Sequence, residues 1–378
     1  MHMILFAIVL VIFTALYGVL HYYLYRKLYA LFPRQRNRIL MVLLLSGASI
    51  FVAEWFVHQN IQTLITVPLT WFAFIWMGLV YLFFFVSLVF DAFVTVLRIA
   101  RQHSVAHALA APRRTAWVVM LVIGIAVYGA WSARQINLER ISLVSAKLPR
   151  AVRMVQIADL HLGLLSDVRH VQQIVAAVNS LQPDIIVSTG DLVDMQMDHM
   201  PDLLKAISQL HARLGKYAVY GNHEYLAGIE ASREFITSAG FTLLSDDGVT
   251  PESVLNIVGV DDPIVKRKGE HATLSESALL KQYANGQFTL LLKHQPRLDA
   301  QSKGLFDLQL SGHVHGGQIF PFGVLTWLAY RTSMGLSAAG AGAWLYVSRG
   351  AGTWGPPMRV LAPPEITVFD LLPAPGKD

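Results

Sequence analysis

Four apolar stretches, near residues 3–25, 39–57, 69–97 and 115–133, constrain this chain more than any other feature. Each is at or near the ~20 residues that an α-helix needs to cross a ~30 Å hydrocarbon core. Lipid tolerates only backbone whose hydrogen bonds are satisfied internally, so the stretches predict an α-helical membrane domain of four spans. The third is the longest. Its crowded aromatic residues, among them Trp71, Phe72, Trp76 and Tyr81, suit a span that tilts or runs past the hydrocarbon into the interface. The first stretch follows Met1-His2-Met3, which offers no Lys or Arg, and no A-x-A-like site comes after it. It therefore reads as a span rather than a cleaved signal peptide.

Charge sets the expected orientation. Only 15% of the 378 residues are charged, against about 25% in an ordinary soluble protein, and the charges are unevenly divided. Residues 1–149 hold 12 Lys and Arg against 3 Asp and Glu, whereas residues 150–378 hold 18 against 22. Arg26, Lys27, Arg34, Arg36 and Arg38 lie between spans one and two, and Arg98, Arg101, Arg113 and Arg114 between three and four; residues 58–68 have neither Lys nor Arg. Short basic loops remain cytoplasmic, facing anionic lipid. An even number of spans then puts both termini and the second half outside, in the periplasm if the membrane is a bacterial inner membrane; one re-entrant stretch would move that half to the cytosol. Glu54 and Asp91 lie near span ends and read as carboxylates reaching the interface. His21, His58, His103 and His107 have no carboxylates at ligand spacing and read as interfacial or loop residues.

Beyond Pro149 the pattern changes to short apolar runs alternating with amphipathic segments. Strands are expected at 152–158, 184–188 and near 216–220, 255–260, 288–293, 306–311, 343–348 and 365–370. Helices are expected at about 167–180, capped by Ser166, and near 200–213, 229–239 and 272–283. Strands that alternate with helices and later outnumber them predict two sheets packed face to face with helices outside. The expected organisation is a transmembrane domain over 1–135, a linker over 136–150 and a folded α/β domain over 151–373.

Five of those runs end in hard or borderline metal ligands. The first leads into Asp159-Leu160-His161 and the second into Gly190-Asp191. The third leads into Gly221-Asn222-His223-Glu224, a later run into His294, and the next into Gly312-His313-Val314-His315-Gly316-Gly317. Loops beyond strand ends are where a rigid sheet can make side chains converge. Asp, Asn and neutral His suit Mn, Fe or Zn, and the absence of Cys excludes a thiolate site. Asp159 and His161, like His313 and His315, are two residues apart and would point the same way along an extended segment. One such motif is weak; five in this order, each after an apolar run, form a specific signal.

In this order the motifs resemble the signature of the calcineurin-like metallophosphoesterases, over about residues 150–372. His315-Gly316-Gly317-Gln318 and Tyr346-Val347-Ser348-Arg349-Gly350 resemble the membrane-associated bacterial branch that includes the YkuE- and YaeI-like phosphodiesterases. In layout the chain is similar to the transmembrane proteins with a metallophosphoesterase domain. The resemblance implies a four-layer α/β/β/α sandwich and two bound metal ions. One ion would be held by Asp159, His161, Asp191 and His315, the other by Asp191, Asn222, His294 and His313, with Asp191 shared. It also implies that His223 acts on the substrate phosphate or the leaving oxygen, with Glu224 fixing its tautomer. Water is the expected nucleophile, in keeping with two-metal hydrolysis. The sequence has no G-x-S-x-G elbow and no G-x-x-x-x-G-K-[ST] loop.

These features predict a membrane-anchored hydrolase of a phosphodiester or pyrophosphate bond, its substrate lipid-linked because the tether holds the site near a bilayer. The alternatives are a soluble-substrate or nucleotide phosphodiesterase and a metal-binding membrane sensor without turnover. Nucleic acid is not an expected partner, since residues 150–378 are mildly acidic and show no Lys/Arg and aromatic stripe. His170, His199, His211 and His271 read as surface residues, and Lys266-Arg267-Lys268 as a solvated run. Arg331, Arg349 and Arg359 could reach a phosphate or pair within the domain. The aromatic residues of 319–356, among them Phe320, Phe322, Trp327, Tyr330, Trp344 and Trp354, could line a cleft or rest on a membrane.

Overall fold

The structure, a computed structural model, describes residues 2–58, 64–102, 104, 111–195, 200–266 and 274–375. His103, His107, His199, His271, Arg267 and Lys268 lie outside the described residues. The chain divides into two compact units, Met1–Trp131 with Gly355–Met358, and Ser132–Trp354 with Arg359–Asp378.

The first unit is built on α1 (His2–Leu31), α2 (Arg36–His58), α3 (Thr66–Ile99) and α4 (Ala111–Ser132). Among the described residues, three segments are long and apolar enough to cross a membrane: Pro33–Val57, Thr66–Ile99 and Pro112–Ser132. The third expected stretch is one unbroken helix of 34 residues. Tyr17, Ile50, Ala53 and Ala73 form a small core, and outward positions such as Leu45, Val89 and Val127 are exposed. His21 is not a loop residue. It lies within α1, where Trp76 Nε1 donates to its Nε2 at 2.9 Å and its Nδ1 meets the Tyr17 carbonyl at 2.9 Å. Gly47 makes room for it, since a Cβ there would fall 3.1 Å from His21 Nε2. Asp91 joins three helices, with Lys27 Nζ at 2.6 Å, Arg114 Nε at 3.2 Å and the Tyr23 hydroxyl donating at 2.8 Å. Pro356 and Met358 pack within this unit on Gly78.

The second unit contains two six-stranded sheets. The strands are β1 (Asn137–Ser145), β2 (Val152–Ile157), β3 (Ile185–Ser188), β4 (Lys216–Ala218), β5 (Thr242–Leu243), β6 (Asp247–Val249), β7 (Asn256–Val260), β8 (Thr289–Lys293), β9 (Leu308–Ser311), β10 (Gly335–Gly340), β11 (Ala343–Val347) and β12 (Glu365–Pro373). The first sheet runs β1-β12-β2-β3-β4-β5 and the second β10-β11-β9-β8-β7-β6. In the first, β2 to β5 are parallel neighbours; in the second, β7, β8, β9 and β11 are. The helices are α5 (Val168–Ser180), α6 (Pro201–Ser208), α7 (Asn222–Ala227), α8 (Ile229–Ser238), α9 (Pro263–Lys266), α10 (Glu276–Gln282) and α11 (Phe322–Tyr330).

Parallel strands covered on both faces need apolar residues throughout, and Ile185–Val187 and Leu290–Leu292 supply them, all 0% exposed. Alternate side chains therefore enter two different cores. Met154, Ile185 and Val187 of the first sheet pack with Ile257, Leu290, Leu292, Leu308 and Leu310 of the second. Val155, Ile157 and Ile186 pack with Val171, Ile174, Ile207 and Ile236 of α5, α6 and α8, and Val258 and Leu291 pack with Leu279 and Leu280 of α10.

Two local expectations are corrected. The stretch 136–150, expected to be a linker, carries β1, which pairs in parallel with β12 from Asn137↔Glu365 to Ser145↔Pro373. As an edge strand it buries only Leu143 fully, and its charged Glu139 and Arg140 hide the alternation. The cap of α5 is Asp167, whose carboxylate accepts from Arg169 N at 3.0 Å. Ser166 instead accepts from Gly163 N and donates to the His161 carbonyl, closing the loop beyond that histidine.

Candidate metal centre

All seven expected ligands come together at the ends of β2, β3, β4, β8 and β9. Asp191 is at the middle. Its Oδ2 lies 3.1 Å from His294 Nε2 and 3.7 Å from His161 Nε2. On one side, His161 Nε2 faces His315 Nε2 at 3.0 Å, and Asp159 Oδ1 lies 3.6 Å from His315 Nε2. On the other, His294 Nε2 lies 3.2 Å from Asn222 Oδ1 and 3.1 Å from His313 Nδ1. Among the described residues three groups have donor atoms close enough to hold an ion: Asp159–His161–His315, Asp191–His294–His313 and, sharing His161 with the first, His161–Asp194–His223.

The extended-segment rationale for the paired residues does not hold. Asp159, His161, Asp191, His313 and His315 all have left-handed φ, between 48° and 74°. Such backbone is costly for residues with a Cβ and persists where the surroundings impose it. The surroundings here are tight. Asp159 N donates to the Gly190 carbonyl at 3.2 Å and His161 N to the Asp191 carbonyl at 3.0 Å. Asp159 Oδ1 accepts from His313 N at 2.8 Å, and Asp191 Oδ1 from His223 N at 2.8 Å. Two glycines admit the carboxylates by size alone: a Cβ on Gly221 would collide with Asp191 Oδ1, and one on Gly312 with Asp159 Oδ2.

Electrostatics favour a cation. Burial, with Asp191 alongside, pushes Asp159 up to about 7. Burial works against a charge on His294, but Asp191 and Asp159 lift it to about 10. Asp191 resists burial because His294, His223 and His161 hold its carboxyl well below the usual range. Burial lowers His161 to about 4 and His313 to about 3, and His315 well below its ordinary value, so these rings are neutral and keep a lone pair. His294 Nδ1 donates to the Thr189 carbonyl at 2.8 Å, which directs Nε2 of that ring inward. Asp159 Oδ2 and His161 Nδ1 are buried without a hydrogen-bond partner among the described residues. Facing nitrogens, orphaned buried donors and an oxygen and nitrogen set fit divalent transition ions.

His223 and Glu224 sit in the first turn of α7, but not as partners. His223 Nδ1 pairs with Asp194 Oδ1 at 2.8 Å. Burial disfavours its charge, but Asp194, then Asp191, raise its pKa. Glu224 is fully buried and turns to the backbone. Its Oε1 accepts from Leu192 N (2.7 Å) and Val193 N (3.3 Å), its Oε2 from Asp191 N (2.9 Å) and Gly221 N (2.7 Å). The tautomer role expected for Glu224 therefore belongs geometrically to Asp194, which sequence reading passed over. Its only signal was a second Asp three residues after Asp191.

Arg359 finds its partners within the domain. Buried completely, it donates to the carbonyls of His315, Arg349, Gly350, Gly352 and Ala362, tying the 349–362 loop to the last histidine. Its two Nη2 hydrogens serve Gly350 and Gly352, so the 3.3 Å approach to His315 Nδ1 does not fix that ring's tautomer. Arg349 is paired with Glu139 and Glu365.

A model of the calcineurin-like phosphoesterases matches residues 152–317. An uncharacterized metallophosphoesterase of Aquifex aeolicus is 36% identical over 239 residues, covering 62% of this chain and 92% of that protein. The chain belongs to the calcineurin-like metallophosphoesterase family. The YkuE metallophosphoesterase of Bacillus subtilis is 33% identical over 233 residues, covering 58% of this chain and 78% of that one. A transmembrane protein with a metallophosphoesterase domain from Danio rerio is 32% identical over 287 residues, covering 71% of this chain and 65% of its own length. That share exceeds residues 150–378, so the likeness runs back into the apolar half. The family implies phosphoester hydrolase activity, and this chain unites its domain with helices apolar enough to enter a membrane.

Proposed function

We propose that the chain is a membrane-anchored, dinuclear-metal phosphoesterase that hydrolyses a phosphodiester or pyrophosphate bond of a lipid-linked substrate. The observation that carries this reading is the place of Asp191 Oδ2 between two donor sets. Asp159, His161, Asp191 and His315 would hold one ion, and Asp191, Asn222, His294 and His313 the other; Mn, Fe and Zn all suit them. When bound, the ions supply Lewis acidity toward the phosphoryl oxygens and an acidified water as nucleophile. The chain does the rest. His223, kept protonated by Asp194, holds a proton on Nδ1 and presents Nε2 to the substrate phosphate or leaving oxygen. Glu224 fixes the loop that carries Asp191, and Arg359 fixes the loop behind His315.

In this reading α1 to α4 are four spans, the catalytic unit is a four-layer α/β/β/α sandwich, and it faces the periplasm of a bacterial inner membrane. Loops one and three supply the cytoplasmic charge. Purified protein with Mn²⁺ should hydrolyse bis-p-nitrophenyl phosphate and lipid phosphodiesters, and Asp191→Asn and His223→Ala should each lower the rate. Equal rates in all three proteins would overturn the mechanism; metal binding without turnover would mark a sensor. A C-terminal reporter fusion should be active only in the periplasm, and a cytosolic signal would refute the even number of spans.

A further inference from the structure

One helix of the catalytic unit is largely apolar yet fully buries none of its residues. The sequence of α11 is Phe-Gly-Val-Leu-Thr-Trp-Leu-Ala-Tyr, and none of its nine residues is buried. Phe322, Val324, Leu325, Trp327 and Leu328 are 44–55% exposed, and Phe320 just before them is 56% exposed. Scattered exposed leucines need no explanation, but a largely apolar helix is ordinarily inside a core or a membrane, and a contiguous patch marks a contact surface.

The patch adjoins the metal centre. Tyr330, at the C-terminal end of α11, has its ring 5.4 Å from that of His313. Trp354, itself 53% exposed, has its ring 5.8 Å from that of His223. Gln318 joins the two segments, since its side chain bonds both the N–H and the carbonyl of Trp354. Cations stand at the same end: exposed Arg297 lies 4.9 Å over the Tyr330 ring, and exposed Arg331 lies 5.2 Å over Trp327. Aromatic rings with guanidinium groups beside them are the composition of a surface that enters a bilayer interface and meets anionic headgroups. Trp354 is followed directly by Gly355–Met358, four residues that count with the unit of apolar helices.

We infer that α11, Phe320 and Trp354 form a lipid-docking rim around the metal centre, entering the bilayer surface so that an amphiphilic phosphate ester reaches the site with its tail still in lipid. The substrate class rests on the phosphoesterase reading; the docking does not. The Cys-free chain allows a clean test. Full-length Leu325→Cys, carrying an NBD label, is reconstituted in vesicles of phosphatidylethanolamine and phosphatidylglycerol with doxyl-labelled lipid, beside Lys303→Cys at an exposed polar position. Quenching at residue 325 should exceed that at residue 303 by about five-fold or more if the helix lies in the interface; equal quenching overturns the docking.

A second arm reads the substrate. Phe322→Ser, Leu325→Ser and Trp327→Ser together should leave hydrolysis of bis-p-nitrophenyl phosphate unchanged and lower that of a vesicle-borne phosphodiester about ten-fold, as lost apolar insertion requires. Equal effects on both substrates overturn the inference. If the wild type cleaves neither diester, the phosphoesterase reading fails while the quenching still decides the docking.

Discussion

Replacing Glu224 with Gln separates what the structure assigns to this residue from what its neighbour in sequence suggested. The carboxylate presents two oxygens to four backbone N–H groups, at 2.7–3.3 Å. A Gln side chain keeps the shape but offers one acceptor. Whichever way the amide turns, two buried N–H groups lose their acceptor and face a donor. Each buried unsatisfied N–H costs about 1–3 kcal/mol, so the substitution should destabilise the catalytic unit by about 2–6 kcal/mol. For a unit of this size each kcal/mol lowers Tm by about 2–4 °C, which sets a minimum fall of about 4 °C. Asp191 N is one of the four donors, so the shared ligand should shift and metal affinity should fall about 10–100-fold, as for lost support of a ligand. Differential scanning fluorimetry and Mn²⁺ titration of the full-length protein in detergent would measure both. A variant with unchanged Tm and Mn²⁺ affinity but an altered pH–rate profile would refute the backbone role and restore Glu224 as the partner of His223.

The remaining expectations concern the groups around the same centre. His223→Ala should lower kcat by about 10²–10⁴-fold with metal content retained, and Asp194→Asn should act in the same direction through loss of the negative charge 2.8 Å from Nδ1; kinetics beside elemental analysis would check both. Gly221→Ala should cost about 1–3 kcal/mol by overpacking and weaken metal binding, because its Cβ would enter the space of Asp191 Oδ1; a stable variant with full metal content would contradict that geometry. Chelation should abolish activity and lower Tm, with Mn²⁺ restoring both. The shift should approach that of about 2.7 kcal/mol when free metal reaches about 100 times Kd.

The sequence was most legible where one physical demand dominates. Fully covered strands must be apolar along their length, so β2, β3, β7, β8 and β9 were visible within a residue or two. β1 was not, because an edge strand buries one face only and Glu139 and Arg140 break its pattern. β5 and β6 have two and three residues, too few for any period to register. The seven candidate ligands were legible because metal-donor chemistry limits the residue types and each follows a strand. The backbone that presents them was not: local spacing suggested extended segments, whereas packing against neighbouring loops holds five of them at left-handed φ.

By itself the sequence determined a chain of two halves, one apolar and basic, the other a run of strands ending in Asp, Asn and His. Both follow from composition and order along the chain, since hydrophobic length and donor chemistry are properties of single segments. Only the tertiary structure decided which groups meet across those segments. Asp194 rather than Glu224 reaches His223, Glu224 gathers four N–H groups from two loops, and Trp76 of another helix donates to His21. It also left α11 uncovered beside the centre. These are contacts between residues far apart in sequence or differently turned on the same helix, and no local period encodes the direction in which a side chain finds its partner.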